Sequence, residues 1–285
     1  MEDGGGQQSS PGGQVQTWLT DDAGAAWQRG AELRGDAMRE ATTLMFELAG
    51  LASGMKVLDI AAGTGDQTLL VAELVGAAGE VIATDLSPSM LEVAARRAAE
   101  AGLSNISTQV VDAQDLEFPE GTFDAAICRN GLMFVPDLAK ALGKVYRALK
   151  PGARFAATVW SMPERNPFMA VPAPVVARVA GLPAPPALAA TFKLGQPRVL
   201  AEFLTGARFG DVQVRPAAVV RRFPSAAAAA THVREGAGPA RALVSKLTEE
   251  QWRRARAELE QAFSRYEGPE GCVLPGEVLV GAGTK

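Results

Sequence analysis

VLDIAAGTGD, at residues 57–66, is the stretch that decides how this chain folds. An apolar, strand-like run carries Asp59 near its end, small residues follow, and a helical pattern begins at about residue 67. Small residues let the backbone come close to a ligand, because they place little or no side chain in its way. A strand, a glycine-rich turn and a helix in this order therefore predict a nucleotide-like ligand at the turn.

Short apolar runs alternate with helical patterns from residue 55 to residue 160. Strands separated by helices need crossover connections, which give a parallel sheet covered on both faces. The pattern predicts strands at residues 56–60, 80–84, 106–111, 123–128 and 153–160, and helices at residues 67–75, 89–101 and 138–149. Two further strands are predicted at residues 212–223 and 277–282.

The remaining length is predicted to cover this sheet rather than to form a second fold. Residues 1–16, rich in Gly, Ser and Gln, predict a disordered tail, and residues 17–50 predict N-terminal cap helices. Residues 51–285 form the α/β domain, with cap insertions predicted at about residues 161–206, which are proline-rich, and 224–271, which are helical. These insertions are expected at the carboxyl edge of the sheet, where ligands of open α/β sheets bind.

The glycine turn departs from the fingerprint of dinucleotide-binding folds. That fingerprint has a third glycine where this chain has Thr68, and it places a pyrophosphate at the helix N-terminus, where Asp66 would repel it. The turn therefore argues against NAD or FAD, although an NAD-type oxidoreductase stays as an alternative. A positively charged ligand would instead favour acids near the turn.

Acidic residues follow two further strands at the same edge. Asp85 ends the second predicted strand about 20 residues after Gly65, where nucleotide-binding folds place an acid on the ribose hydroxyls. Asp112 and Ala113 follow the third strand. Each acid alone could cap a helix or a turn, but acids in register at three strand ends predict one ligand site.

These motifs resemble a known family. The pattern D-x-A-x-G-x-G at residues 59–65 is similar to motif I of class I S-adenosylmethionine-dependent methyltransferases, with Ala61 in place of the usual first glycine. DAQDLEFPEGTFDA at 112–125, GLMFVPD at 131–137 and ALKPG at 148–152 resemble the branch of ubiquinone/menaquinone-biosynthesis C-methyltransferases. The resemblance covers residues 51–160 well and the C-terminal third loosely.

The resemblance implies an α/β, Rossmann-like fold: a mostly parallel seven-stranded sheet with helices on both faces, an antiparallel final strand and helical cap insertions. It implies that residues 51–285 are a methyltransferase domain that takes S-adenosyl-L-methionine and moves its methyl group to a small, apolar or aromatic acceptor by in-line displacement. The donor-binding residues that it implies are Asp59, Ala61, Gly63, Thr64, Gly65, Asp85, Leu86, Asp112, Ala113 and Arg129. A donor-binding protein that does not methylate, such as a cyclase, is a second alternative.

No catalytic pair stands out in the sequence. Methyl transfer depends mainly on holding donor and acceptor in position, so no acid or base is obligatory. His232, the single histidine, is a candidate general base, but we favour a packing or surface role for it.

Composition excludes several other classes. The chain has 28 Lys and Arg against 32 Asp and Glu, a net charge of −4, and so lacks the basic excess of a nucleic-acid binder. Cys128 and Cys272 with one histidine predict neither a disulfide framework nor a metal site. No apolar run is long enough to insert into a membrane, and the N-terminus does not resemble a signal peptide. We therefore expect a cytoplasmic protein with a small-molecule substrate; the oligomeric state has no signal in the sequence.

Overall fold

The computed structural model describes residues 19–20, 23–183, 186–235 and 240–285. The disordered tail predicted at residues 1–16 lies outside these ranges. Among the described residues, no helix combines the length and the apolar character needed to span a bilayer.

Seven strands form the main sheet, in the order β3-β2-β1-β4-β5-β10-β6. Strand β10 lies between β5 and β6 and is antiparallel to both, whereas β1 to β5 run parallel. This is the mostly parallel seven-stranded sheet with an antiparallel final strand that the sequence predicts. Its strands are β1 (Lys56–Ile60), β2 (Glu80–Asp85), β3 (Ile106–Val110), β4 (Phe123–Arg129), β5 (Leu149–Trp160), β6 (Gly210–Ala218) and β10 (Glu277–Thr284).

Helices cover both faces of this sheet. The predicted helices after β1, β2 and β4 are confirmed to within one residue at each end as α3, α4 and α5. Ser87 caps the N-terminus of α4, since its Oγ accepts a hydrogen bond from Met90 N and Pro88 follows it as the first helical residue. The helices are α1 (Ala23–Gln28), α2 (Ala31–Ala49), α3 (Asp66–Val75), α4 (Pro88–Glu100), α5 (Leu138–Ala148), α6 (Pro167–Ala170), α7 (Pro172–Ala180), α8 (Pro186–Thr191), α9 (Pro197–Gly206), α10 (Ala226–Glu235), α11 (Arg241–Val244) and α12 (Glu249–Ser264).

The central strands are apolar because both of their faces are covered. Val57 and Leu58 of β1, Ile127 of β4 and Phe155 of β5 are completely buried. Helix α2 packs on β5, β4 and β10, and helix α9 packs on β6 and β10. The main core therefore fixes the positions of the strand ends, where the acids of the sequence motifs lie.

One predicted strand is wrong. Residues 212–223 were expected to be continuous, but the structure divides them between β6 in the main sheet and β7 (Arg221–Phe223) in a second, three-stranded sheet. Val219 donates its backbone hydrogen bond to Gly276 O at the break, and β7 then pairs with β9 (Gly271–Leu274). The apolar pattern continues through the break, so it does not reveal the change of partner.

The second sheet belongs to a cap with its own apolar core. Strands β7 and β9, with β8 (Glu267–Gly268), pack with helices α7, α10, α11 and α12. Trp252, Ala255, Leu259 and Phe263 form the buried stripe of α12. These four residues belong to the apolar core of the cap.

Candidate functional site

A cavity of about 380 Å³ lies between the carboxyl edge of the main sheet and the cap. Its volume is in the range of small-ligand sites. The sheet side is formed by residues that follow β1, β2, β3 and β4, and the cap side is mostly apolar and aromatic. Among the residues that line it are Ala61, Gly63, Asp66, Asp85, Leu86, Val111, Asp112, Ala113, Arg129, Gly131, Trp160, Phe168, Met169, Pro172, Arg221 and His232.

The turn after β1 is tightly built. Ala61, Gly63 and Gly65 have φ of 55°, 58° and 81°, a region that favours glycine. A Cβ on Gly65 would lie 2.9 Å from Ala94 Cβ, and one on Gly131 would lie 2.5 Å from Ala61 Cβ. Glycine at 65 and 131 therefore lets α4 and the segment after β4 pack against the turn.

Seven of the ten predicted donor residues line the cavity and three do not. Ala61, Gly63, Asp85, Leu86, Asp112, Ala113 and Arg129 line it, whereas Asp59, Thr64 and Gly65 are absent from its lining. The structure therefore brings the residues after β1, β2, β3 and β4 together around one space.

Asp59 holds the turn from inside the protein. Its carboxylate is completely buried and accepts hydrogen bonds from Gln67 Nε2 at 3.0 Å and from Thr68 Oγ1 at 2.6 Å. Burial raises the pKa of Asp59 to about 6, although these two hydrogen bonds oppose the shift. Asp59 thus ties β1 to the first turn of α3.

Asp85 faces the cavity from the end of β2. Its Oδ2 accepts a hydrogen bond from Gly63 N at 2.8 Å, and its Oδ1 accepts one from Ser87 N at 2.9 Å. Burial raises the pKa of this carboxyl, and the backbone amides of Ser87, Gly63 and Leu86 act in the opposite direction. Each carboxylate oxygen keeps a lone pair, so Asp85 can also accept hydrogen bonds from ligand hydroxyl groups.

A cluster of charges lies beside the turn and was not predicted from the sequence. Asp66, the first residue of α3, forms ion pairs with Arg97 at 2.6 Å, Arg34 at 3.1 Å and Arg129 at 3.3 Å. Burial alone would raise the pKa of Asp66, but Arg34 and Arg129 bring it below its usual value. Three guanidinium groups share one carboxylate, so the cluster carries surplus positive charge.

Arg34 reaches this cluster from helix α2. It stacks on Trp27, with its guanidinium carbon 4.3 Å from the ring centroid, and its Nε is buried without a hydrogen-bond partner in the described part of the chain. The sequence does indicate that Arg34 lies on the inner face of α2, because it is four residues before Met38, and Met38, Ala41 and Met45 are buried on that face.

His232 is on the cap side of the same cavity. It is half-buried, and its ring centroid lies 5.4 Å from that of Phe223 and 6.1 Å from that of Phe168. The structure therefore places the histidine among aromatic rings and opposite the donor residues. Its catalytic role stays a prediction.

Cys128 lies behind the site at the end of β4. Its side chain is completely buried, and burial, helped by the charge of Asp59, raises the pKa of the thiol to about 12. The thiol is therefore protonated at neutral pH and serves as a small apolar group.

Comparison with known sequences confirms the predicted resemblance. Residues 39–173 match the model of the ubiE/COQ5 methyltransferase family. The ubiquinone/menaquinone biosynthesis C-methyltransferase UbiE of Marinomonas sp. (strain MWYL1) is 43% identical over 117 residues, which are 41% of this chain and 47% of that protein. The same enzyme of Cellvibrio japonicus (strain Ueda107) is 44% identical over 121 residues, 42% of this chain and 49% of that protein. The match thus spans about half the length of these curated relatives and includes the sheet-side half of the cavity.

Comparison with solved structures confirms the Rossmann-like fold. The YcgJ protein of Bacillus subtilis has a TM-score of 0.57 at 19% identity, covering 86% of this chain and 98% of that one. Phosphoethanolamine N-methyltransferase 2 of Haemonchus contortus, solved with S-adenosylhomocysteine, has a TM-score of 0.60 at 18% identity. This match covers 97% of this chain and 60% of that one. The [4+2]-cyclase SpnF has a TM-score of 0.53 at 22% identity, and the match covers 86% of this chain and 79% of that one. At sequence identities this low, the comparison shows a similar fold and nothing further.

Proposed function

We propose that this chain is an S-adenosylmethionine-dependent methyltransferase that acts on a small, apolar or aromatic acceptor. The observation that carries the proposal is the cavity-facing carboxylate of Asp85, which the backbone amide of Gly63 holds at the glycine turn. The match of residues 39–173 to the ubiE/COQ5 methyltransferase family supports the same conclusion from the sequence.

The residues after β2 and β3 suit the nucleoside of the donor. Asp85 has free lone pairs for the two ribose hydroxyls, in the role that acids play at this position in nucleotide-binding folds. Leu86, Val111 and Ala113 give the cavity an apolar surface next to it, and Asp112 offers a polar edge. An adenine ring needs an apolar bed of this kind with a few polar contacts.

The arginine cluster suits the amino-acid end of the donor. Arg34 and Arg129 both line the cavity, and the single Asp66 does not balance the three guanidinium groups around it. A ligand carboxylate would add the missing negative charge, and Arg34 Nε is a buried donor without a partner in the described chain. These residues therefore fit the donor at both of its ends.

When bound, S-adenosylmethionine supplies a methyl group activated by a positively charged sulfur. The protein's part is to hold the acceptor in line with that group and to exclude water, and such positioning is worth effective molarities of about 10⁵–10⁸ M. Trp160, Phe168, Met169 and Pro172 line the cap side of the cavity. This lining favours an apolar or aromatic acceptor. His232 lies on the same side and stays a candidate general base, although its position between Phe168 and Phe223 suits a packing role.

The relatives named above are C-methyltransferases of ubiquinone and menaquinone biosynthesis, so a quinone-related acceptor is one form of this proposal. The apolar core of the cap is built mainly from residues beyond the family match, which ends at residue 173, although Phe168, Met169 and Pro172 of the cavity lining lie within the match. We therefore base the acceptor class on the cap lining alone. We also propose a cytoplasmic location, which the two free and buried cysteines support, and a small-molecule partner, which the cavity supports.

Turnover tests this function. The chain is incubated with S-adenosylmethionine and a panel of aromatic acids, phenols and quinols, and mass spectrometry follows S-adenosylhomocysteine and methylated products. We expect stoichiometric formation of both with at least one acceptor. Tight binding of S-adenosylhomocysteine without any turnover would favour the non-methylating alternative, and binding of NADH instead would favour the oxidoreductase.

A further inference from the structure

Arg221 is a buried cation on the cap side of the cavity. It is the first residue of β7, its residue surface is only 6% exposed, and it lines the cavity. Its guanidinium carbon lies 4.7 Å from the ring centroid of Phe168 and 5.3 Å from that of Trp160. Cation–π contacts of this kind offset only a small part of the cost of burying a charge.

No acid of the described chain balances Arg221. It forms no ion pair or hydrogen bond there, and the charged group that acts on it is Arg34, another cation. Burial, together with Arg34, lowers the pKa of Arg221 to about 10, so the group is still charged at neutral pH. The arginines at the sheet side differ in this respect, since they share the carboxylate of Asp66.

The next residue shows that this burial is specific to position 221. Arg222 follows it on the same strand and is exposed to solvent, as arginine usually is. Uncompensated buried charges normally mark a place where a partner of opposite charge binds. The cavity is the space that the guanidinium faces.

We propose that Arg221 binds a carboxylate group on the methyl acceptor. This inference rests on the proposed function, and it narrows the acceptor to an aromatic or apolar molecule with one negative charge. Arg221, which has no acidic partner among the described residues, would be balanced by one such charge, and the planar guanidinium pairs with a carboxylate through two parallel hydrogen bonds. Trp160 and Phe168, which contact the guanidinium and also line the cavity, add apolar surface beside it for the body of the acceptor.

A pair of probes tests this directly. 2-Naphthoate and its neutral counterpart 2-naphthamide have the same ring body and differ in charge. They are titrated calorimetrically into the full chain, saturated with S-adenosylhomocysteine and also without it. We expect the wild type to bind naphthoate about tenfold to a hundredfold more tightly than naphthamide, the range for hydrogen bonds to a charged group.

Arg221→Met should remove this preference, and Arg221→Lys should keep part of it. Arg222→Met is the matched control, because it removes the same charge from the exposed face of the same strand, and it should keep the full preference. Equal binding of the two probes by the wild type, no binding of naphthoate at millimolar concentration, or a preference that survives Arg221→Met would each overturn the proposal. If Arg221→Met does not fold, Arg221→Lys tests the proposal instead: a reduced preference for naphthoate supports it, and an unchanged preference overturns it.

The same titrations separate this proposal from the proposed function. S-adenosylhomocysteine should bind Arg221→Met as tightly as it binds the wild type. A selective loss of S-adenosylhomocysteine binding would place Arg221 in the donor site and overturn the proposal that it binds the acceptor. Conversely, a wild type that prefers naphthoate but does not bind S-adenosylhomocysteine would keep the anion site and contradict the proposed function.

Discussion

The carboxylate of Asp85 accepts a hydrogen bond from the backbone amide of Gly63 at 2.8 Å. This bond connects the end of β2 to the glycine turn after β1, two segments that are 22 residues apart in the sequence. The acid is thereby fixed at the edge of the cavity with part of its hydrogen-bonding capacity still available. The proposed donor site depends on this hydrogen bond.

Glycine at position 131 is required by close packing. In Gly131→Ala the new Cβ would lie 2.5 Å from Ala61 Cβ in the turn and 2.8 Å from Sγ of Cys128, which is completely buried in β4. We expect a loss of about 1–3 kcal/mol in the free energy of unfolding, the usual cost of overpacking, measured by urea denaturation. Gly143→Ala is the control: it lies in α5 with no atom near the new Cβ, so it should stabilise the protein by about 0.5–1 kcal/mol. A Gly131→Ala protein as stable as the wild type would show that the turn is not tightly packed.

The shared carboxylate of Asp66 should stabilise the fold. Asp66→Asn takes the common partner from Arg34, Arg97 and Arg129, and breaking such a buried ion pair costs about 3–5 kcal/mol. Because the folded-state pKa of Asp66 is lowered, its contribution is present above the unfolded pKa near 4 and is lost as the pH falls through the folded value. Urea denaturation at pH 7 and at pH 3 measures both effects, and the difference between mutant and wild type should shrink at pH 3.

Asp115→Asn is the control for this prediction. Asp115 pairs with Lys140 at the surface, where solvent screens the pair and it contributes little to stability. If Asp66→Asn cost no more than Asp115→Asn at pH 7, the arginine cluster would not depend on its acid.

Asp59 should titrate far above an ordinary aspartate. Its folded-state pKa of about 6 is raised by burial, so the stability that it contributes is greatest below the unfolded pKa near 4 and is lost as the pH rises through 6. The ¹³C shift of the Asp59 carboxyl carbon, followed by NMR from pH 3 to pH 8, should show a midpoint near 6. A midpoint near 4 would mean that the carboxylate is not desolvated as the structure indicates.

Arg221→Met should stabilise the ligand-free protein. The substitution replaces a buried cation that has no acidic partner among the described residues with an apolar side chain of similar length. We expect a higher Tm in a thermal unfolding scan, whereas Arg222→Met should change the Tm little because Arg222 is exposed. A clear fall in Tm for Arg221→Met would show that its charge supports the fold rather than a ligand.

The sequence predicts the sheet side of the site better than the cap side. The turn after β1 and the acids Asp85 and Asp112 are each encoded within a few residues of a strand end, so local pattern and spacing are enough to find them. The register of parallel strands then brings them together. The direction of each side chain is harder to predict: Asp59 lies in the same motif but is directed towards Gln67 and Thr68 rather than into the cavity.

The residues that sequence reasoning missed depend on contacts between distant segments. Arg34 meets Asp66 only because α2 packs beside the start of α3, 32 residues away in the chain. Arg221 enters the cavity because the chain leaves β6 and pairs with β9, a break that the continuous apolar pattern at residues 212–223 conceals. Neither contact has a local signature from which it could be derived.

The most direct test of the donor site is the affinity for S-adenosylhomocysteine, measured by titration calorimetry with the wild type, Asp85→Asn and Asp211→Asn. Asp85→Asn keeps the shape of the side chain but loses the charge and one acceptor, and we expect binding about tenfold to a hundredfold weaker than that of the wild type. Asp211→Asn makes the same change at an exposed position of β6 and should bind as the wild type does. A wild type that does not bind S-adenosylhomocysteine, or an Asp85→Asn protein that binds it equally well, would contradict the account.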